Sequence, residues 1–392
     1  MKILFITESY FPQTSGVPVV VRYLAEGLSN HGHSVAIATQ RFNNPIKNET
    51  LNGVLIYRFD IYNSFFKKPK GEKKEFIDFV LRYDADVTIV ECTQCITTDL
   101  ILPFINKLKG KKILHVHGIS GLMPERKLFK LKSDLKHTLG NTYNYLNSIY
   151  YFGVKMKNAL RYFNATICLS PVDYGIEYLE KYSKKNYILD NAADNMFFDE
   201  SFYEHDTLGK YIATKNYHFM ISCANYSFNK NQMGIINQYF ESEASKRYSL
   251  VCIGTQNNEY YNNCKALVES LIKKYGYRDV HLLYGVDRTD IPAIINKSSL
   301  YLVGSFWEQY SISIIEAMSQ GVPFISTNVG NARLLPGGLT IENINMMAPA
   351  IDNILSDQEE YQKYSAAGRD YAYNHCRISV AIDNLEKIIN EC

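Results

Sequence analysis

At 392 residues the chain exceeds what one hydrophobic core usually organises, so two domains are expected. Hydrophobic residues at 46% and charged residues at 21% exclude a disordered or fibrous chain. The net charge of +2 hides a polarity: residues 1–190 carry 26 Lys and Arg against 17 Asp and Glu, and residues 191–392 carry 16 against 23. The basic N-terminal half either meets something anionic or is a solvated face.

In chain order, the apolar run Met1–Thr7 is too short for a secretory signal and Glu8 interrupts it. No stretch of 18 apolar residues follows, so a cytoplasmic protein without a membrane span is expected. Strand-like runs fall at Lys2–Thr7, Ser34–Thr39, Val54–Tyr57, Val87–Val90, Ile113–Val116 and Ala165–Leu169, with a helix from Val19 to His31. Residues 121–163 read as long and helical. The periodicity breaks over 186–216, which reads as a hinge, and strands resume at His218–Cys223, Ser249–Ile253, Val280–Tyr284, Leu300–Val303 and Pro323–Ser326. The stretch 359–391 reads as helix. Strands alternating with helices predict βαβ units around parallel sheets, whose carboxyl ends bind ligands.

Some chemistries are excluded or weakly signalled. There is no GxxxxGK[ST], and no GxGxxG follows the first strand, so neither a Walker ATPase nor a standard dinucleotide enzyme is expected. Cys92-x-x-Cys95 lacks a second pair to complete a zinc site, and two reduced thiols near a strand end is the simpler reading. Asp84-Ala85-Asp86 is either a metal-binding DxD or an ordinary turn before a strand.

The informative segment runs from Gly304 through Glu308, Gln309, Tyr310, Ser311 and Glu316 to Gly321-Val322-Pro323. A strand leads into a loop holding Glu308, and a helix is expected to begin near Ser311. The backbone N–H groups of Gln309, Tyr310 and Ser311 would then be helix N-terminal donors, suited to hydroxyls or phosphate oxygens. Glu316 lies about one and a half turns further on, so both carboxylates can reach one ligand. Alternatively, Glu308 caps the helix and Glu316 is a surface charge.

This segment resembles the retaining nucleotide-sugar glycosyltransferases of family 4, through the spacing of Glu308 and Glu316 and the Glu316-Ala317-Met318-x-x-Gly321-x-Pro323 that follows. The resemblance spans the chain. It takes in the opening Lys2–Pro12 with Gly16-Val17, His115-Val116-His117-Gly118, Lys230, and Leu283-Tyr284-Gly285-Val286. It implies an α/β chain of GT-B fold, two Rossmann-like domains with parallel sheets facing across a cleft. The expected parts are an acceptor domain (1–190), a donor domain (191–370) and a final helix (371–392) crossing back to the first.

By the same resemblance Glu308 binds donor-sugar hydroxyls, Glu316 the ribose, and Gly285 with Val286 the base. Lys230 and a glycine nest at Gly16 and Val17 meet the diphosphate without a metal or other cofactor, and His117 orients the sugar or the acceptor. For His115 the strand phase leaves the choice open. Two positions depart from the family pattern: Asn225 stands where a diphosphate arginine is expected, and Asn191-Ala192-Ala193-Asp194 replaces Asn-Gly-Val-Asp.

The expected activity is transfer from a UDP- or GDP-sugar to a saccharide or lipid-linked acceptor in cell-surface polysaccharide synthesis. Retention by a front-face path is implied by the resemblance alone. Lys127, Lys130, Lys132 and Lys155, beside Phe129, Leu131, Tyr150 and Tyr151, are a candidate contact for the anionic inner membrane face, or the edge of a buried helix. The rival readings are a sugar-nucleotide epimerase or phosphorylase of the same fold, and a sugar- or nucleic-acid-binding protein. The acidic second half argues against nucleic acid.

Overall fold

The computed structural model describes residues 1–13, 16–42, 44–64, 68–119, 122, 145–202, 207–212 and 218–392. They form two compact units, Met1–Asp190 with Ala381–Cys392, and Asn191–Val380.

In the N-terminal unit the strands are β1 (Lys2–Ile6), β2 (Ser34–Gln40), β3 (Asn48–Leu51), β4 (Val54–Phe59), β5 (Ile61–Asn63), β6 (Pro69–Gly71), β7 (Val87–Glu91), β8 (Lys111–His115), β9 (Ala165–Cys168) and β10 (Asn186–Ile188). The main sheet has the order β10-β9-β8-β7-β1-β2-β4-β3 and is parallel except for the β3–β4 pair. β5 and β6 form a small separate hairpin. The central strands are continuous apolar runs because helices cover both faces, and β1, β7 and β9 are buried almost throughout. From β1 the chain passes to β2 on one side and later to β7 on the other. That reversal opens a crevice at the carboxyl ends of β1 and β7.

The C-terminal unit is wound the same way. Its strands are β11 (Phe219–Cys223), β12 (Ser249–Gly254), β13 (Val280–Tyr284), β14 (Leu300–Val303), β15 (Phe324–Thr327) and β16 (Gly338–Ile341). Their order is β13-β12-β11-β14-β15-β16, all parallel, so the reversal lies between β11 and β14.

Several expectations change at the level of elements. The stretch 359–391 is two helices, Gln358–His375 and Ile378–Glu391. Neither Gly nor Pro breaks it; the break is tertiary, where Ala193 pairs with Arg377 and donates its N–H to the Cys376 carbonyl. The first of these helices stays with the C-terminal unit because Gly368 allows close approach to Gly337 and Met318. The return to the N-terminal unit therefore begins at Ala381 and not at 371. There Ala381, Ile382, Leu385, Ile388 and Ile389 form one buried stripe, and Glu386 takes hydrogen bonds from His31 and His33 at 2.8 and 2.9 Å.

Within the expected hinge 186–216 the unit boundary falls after Asp190, as expected, while β10 occupies 186–188 and Ala192 and Ala193 are buried; 203–206 and 213–217 lie outside the described residues. Of the long helical stretch, 123–144 lies outside the described residues, and with it Lys127, Phe129, Lys130, Leu131 and Lys132. Tyr150 and Lys155 are exposed, but Tyr151 is buried and its hydroxyl accepts the Gln94 N–H at 3.0 Å, so it is no surface contact. Among the described residues no helix is long and apolar enough to cross a membrane.

Candidate active site

Each unit brings chemistry to its own crevice. In the C-terminal unit, the pocket between the ends of β11 and β14 is lined by Cys223 and Ala224 on one side and by Val303, Gly304 and Ser305 on the other. Lys230, Glu308 and Ser313 complete it. Lys230 closes a short turn after β11 that two local caps hold. Ser227 accepts the Lys230 N–H, and Asn231, in the left-handed region (φ 52°), caps the helix Gln232–Glu241 by accepting the Gly234 N–H at 3.1 Å. This turn is stitched to the Glu308 loop: Asn229 Nδ2 donates to the Trp307 carbonyl and the Phe306 N–H to the Asn229 carbonyl, both at 2.8 Å. Lys230 Nζ then forms an ion pair with Glu308, whose same oxygen accepts from Ser305 Oγ at 2.7 Å.

The helix that follows begins at Ile312, as expected near Ser311. Ser311 is its N-cap, and its N–H is taken by Asn331 Oδ1 at 3.1 Å, which removes it from the set of free donors. Tyr310 is buried. Gln309 is more informative: both polar atoms of its amide are buried without a partner among the described residues, as is Trp307 Nε1. Buried polar groups left this way are costly, and they flank Glu308 on both sides.

Glu316 is buried, not a surface charge, and it is paired through both oxygens with Arg288. Burial pushes its carboxyl upward, and the Arg288 charge only partly offsets this. Arg288 had no motif to announce it. It follows Gly285 and Val286, which lie directly beyond β13, with Gly285 at φ +68° donating its N–H to Gly254. Asn225 is exposed and lies outside the pocket lining. Phe228 and Phe306, both exposed, stack at 5.0 Å beside the Lys230 and Glu308 loops.

In the N-terminal unit Gly16, at φ +68°, precedes the helix Val17–Asn30, which carries no side-chain cap. His117 lies just beyond β8. Its Nε2 donates to Glu91 Oε2 at 2.7 Å, while His115 Nδ1 hydrogen-bonds the other oxygen, Oε1, at 3.4 Å. So the open question about His115 is answered: both rings serve one carboxylate. Glu91 ends β7 opposite His115 in register and is fully buried. Burial alone would raise its carboxyl, but the His115 charge and the hydrogen bonds from both rings outweigh that and hold it at about 2. Burial and then the His115 charge keep His117 below the usual imidazole range. Glu91 was not singled out in the sequence, where it only ends an apolar run.

Glu91, His115 and His117 also have donor atoms within 4.8 Å of one another, a set that suits a transition metal. Hydrogen bonds from His117 at 2.7 Å and His115 at 3.4 Å, one to each carboxylate oxygen, account for this grouping. Asp84 and Asp86 are engaged elsewhere, with Lys109 at 2.9 Å and the Lys2 N–H at 2.7 Å. All eight cysteines are free.

Comparison with known proteins agrees with the motifs. Residues 208–371 match the family described as Glycosyl transferases group 1. Sucrose-phosphate synthase from Thermosynechococcus elongatus superposes with a TM-score of 0.70 at 14% identity, covering 100% of this chain and 98% of that one. HepE of Anabaena in complex with UDP gives 0.70 at 15%, with 100% of both chains covered. WaaG, a glycosyltransferase involved in lipopolysaccharide biosynthesis, gives 0.66 at 15%, with 99% of each covered. At these identities the likeness establishes the fold, which is GT-B. No curated protein matches the sequence.

Proposed function

We propose, from the premise that residues 208–371 form a group 1 glycosyltransferase domain, that this protein moves a sugar from a UDP- or GDP-sugar to a saccharide or lipid-linked acceptor with retention of anomeric configuration. The observation that carries the reading is the Lys230–Glu308 pair at the β11–β14 crevice. Breaking the anomeric bond leaves a nucleoside diphosphate whose growing charge needs a fixed cation, and Lys230 supplies one. Glu308 and the unpartnered Gln309 amide offer acceptors and donors to sugar hydroxyls. Glu316 takes the ribose, and Gly285 with Val286 the base.

In the N-terminal unit His117 is assigned to orient the sugar or the acceptor, and the nest at Gly16 and Val17 to meet phosphate. The Glu91 hydrogen bond places the His117 proton on Nε2 and leaves Nδ1 as an acceptor for a hydroxyl. No metal enters this scheme. Solved relatives of the same fold carry UDP and UDP-glucose or serve lipopolysaccharide synthesis, which favours a uridine donor and a cell-surface glycan product. A cytoplasmic enzyme working at the inner membrane face suits a lipid-linked acceptor and the basic N-terminal half.

The test is a thermal-shift panel of UDP, GDP, ADP and their common sugar conjugates, with and without EDTA. One nucleotide should raise the melting temperature, and EDTA should leave that shift unchanged. If none of them shifts it, the donor assignment is wrong. If the shift vanishes with EDTA, the metal-free mechanism is wrong.

A further inference from the structure

We infer that Arg288 is a diphosphate-binding residue, the second cation of the donor site beside Lys230. The inference rests on the nucleotide-sugar reading and names a residue that reading did not include. The two carboxylates of the C-terminal site are each matched by one cation from a different loop, Glu308 by Lys230 and Glu316 by Arg288. The pairs are not alike in exposure. Glu316 is 6% exposed at its side chain, whereas Arg288 is 53% exposed. A buried carboxylate thus holds an exposed arginine side chain, with the Asp194 charge also within electrostatic reach. Of its five N–H donors, those that meet the two Glu316 oxygens are committed and the others are free to grip an anion.

Its placement is fixed from three sides. The turn Arg288–Asp290 is anchored by Asp290, which accepts from Tyr211 Oη at 2.7 Å and pairs with Lys210 at 3.2 Å. The Asp287 N–H donates to the same tyrosine oxygen at 3.2 Å. Beneath the guanidinium lies the Phe197 ring, 4.7 Å away, which supports a planar cation without competing for its N–H groups. Arg288 and Glu316 stand behind the pocket lining rather than in it. Glu316 is one turn along its helix from Ser313, which lines the pocket, and Cys223, in the same lining, lies within electrostatic reach of both Glu316 and Arg288.

A paired carboxylate and guanidinium make a fitting receptor for a ribose joined to phosphate. Vicinal hydroxyls donate to the free lone pairs of Glu316 while phosphate oxygens accept from Arg288. Neither half needs to leave the other. Asn225 brings no charge to its loop, so Arg288 and Lys230 divide the anion between them.

The experiment compares the affinity of wild type, Arg288→Ala, Arg288→Lys and the double variant Arg288→Ala/Glu316→Gln for UDP and for uridine, or for GDP and guanosine, by calorimetry. The double variant removes the buried charge that Arg288→Ala would leave unpaired. The expected result is that Arg288→Ala loses about tenfold or more toward the diphosphate and little toward the nucleoside, with Arg288→Lys between them, while the double variant, which also alters the ribose contact of Glu316, loses toward both but about tenfold or more further toward the diphosphate. Equal loss toward diphosphate and nucleoside, or no loss toward either, would overturn the inference and leave Arg288 as the neutralising partner of Glu316. If wild type binds neither diphosphate, the nucleotide-sugar reading itself fails, and the inference with it.

Discussion

Replacing Glu91 by Gln probes the most deeply buried charge of the N-terminal unit. The carboxylate is fully buried and accepts from His117 at Oε2 (2.7 Å) and from His115 at Oε1 (3.4 Å). Its carboxyl is held at about 2 against an ordinary 4.5. A folded-state value depressed by that much contributes about 3 kcal/mol, fully present above pH 4.5 and lost as pH falls toward 2. By the same linkage about half of it remains at pH 3. Gln cannot titrate and can offer its oxygen to only one of the two rings. Wild type should therefore be the more stable at pH 5, and the gap to Glu91→Gln should narrow by about 2 kcal/mol on going to pH 3. This window lies below the imidazole titrations of the unfolded chain, near 6.5. Urea unfolding followed by far-UV circular dichroism measures the gap. The one tryptophan, Trp307, sits in the C-terminal unit, so its fluorescence is the internal control. A gap that stays constant from pH 5 to pH 3 would refute the idea that Glu91 is held ionised.

Further outcomes can be read separately. Lys230→Ala should weaken nucleoside diphosphate binding by about 1.5–3 kcal/mol, the worth of a charge-assisted contact, and unchanged calorimetric affinity would take Lys230 out of the site. Glu308→Ala should abolish sugar transfer while the Trp307 unfolding transition persists; wild-type turnover would discredit the assignment. Gly338→Ala places a Cβ on the Phe324 carbonyl oxygen, inside van der Waals contact, and should cost at least about 1–3 kcal/mol by Trp307-monitored unfolding. An unshifted transition there would mean that β16 moves aside freely. Burial raises the Cys95 thiol to about 11 and those of Cys168 and Cys264 to about 12, so a thiol reagent at pH 7.5 should label them only after denaturation.

The central parallel strands were legible because they are buried on both faces and read as unbroken apolar runs, as in Leu250–Ile253 or Leu300–Val303. What escaped notice was set by other forces. β16 is four residues, Gly338–Ile341, and only partly buried. β3 lies at the sheet edge and alternates in exposure, and β10 sits where periodicity fails. The interruption between the last two helices carries no local signal, since it exists to let Cys376 and Arg377 pair with Ala193. Propensity cannot announce a break that a distant segment imposes.

The site divides along the same line. Glu308 and Glu316 were readable because their spacing along one loop and helix puts them within reach of one ligand, Lys230 because it resembles the family's diphosphate lysine, and the structure does bring Lys230 and Glu308 together. The groups that complete them were not readable, because each acts through a partner far away in sequence. Glu91 matters only once β7 and β8 align it with His115, and Arg288 only once its turn is pinned by Asp290 against Lys210 and Tyr211. A motif records the residues that meet a ligand from one segment. Charge balance across segments is settled by the fold: a carboxylate buried as deeply as Glu316 needs a cation within reach, and here Arg288 meets that need. The absence of a charge at Asn225 and the presence of one at Arg288 are therefore two sides of one requirement, that a site holding two carboxylates carry enough positive charge to admit an anionic ligand.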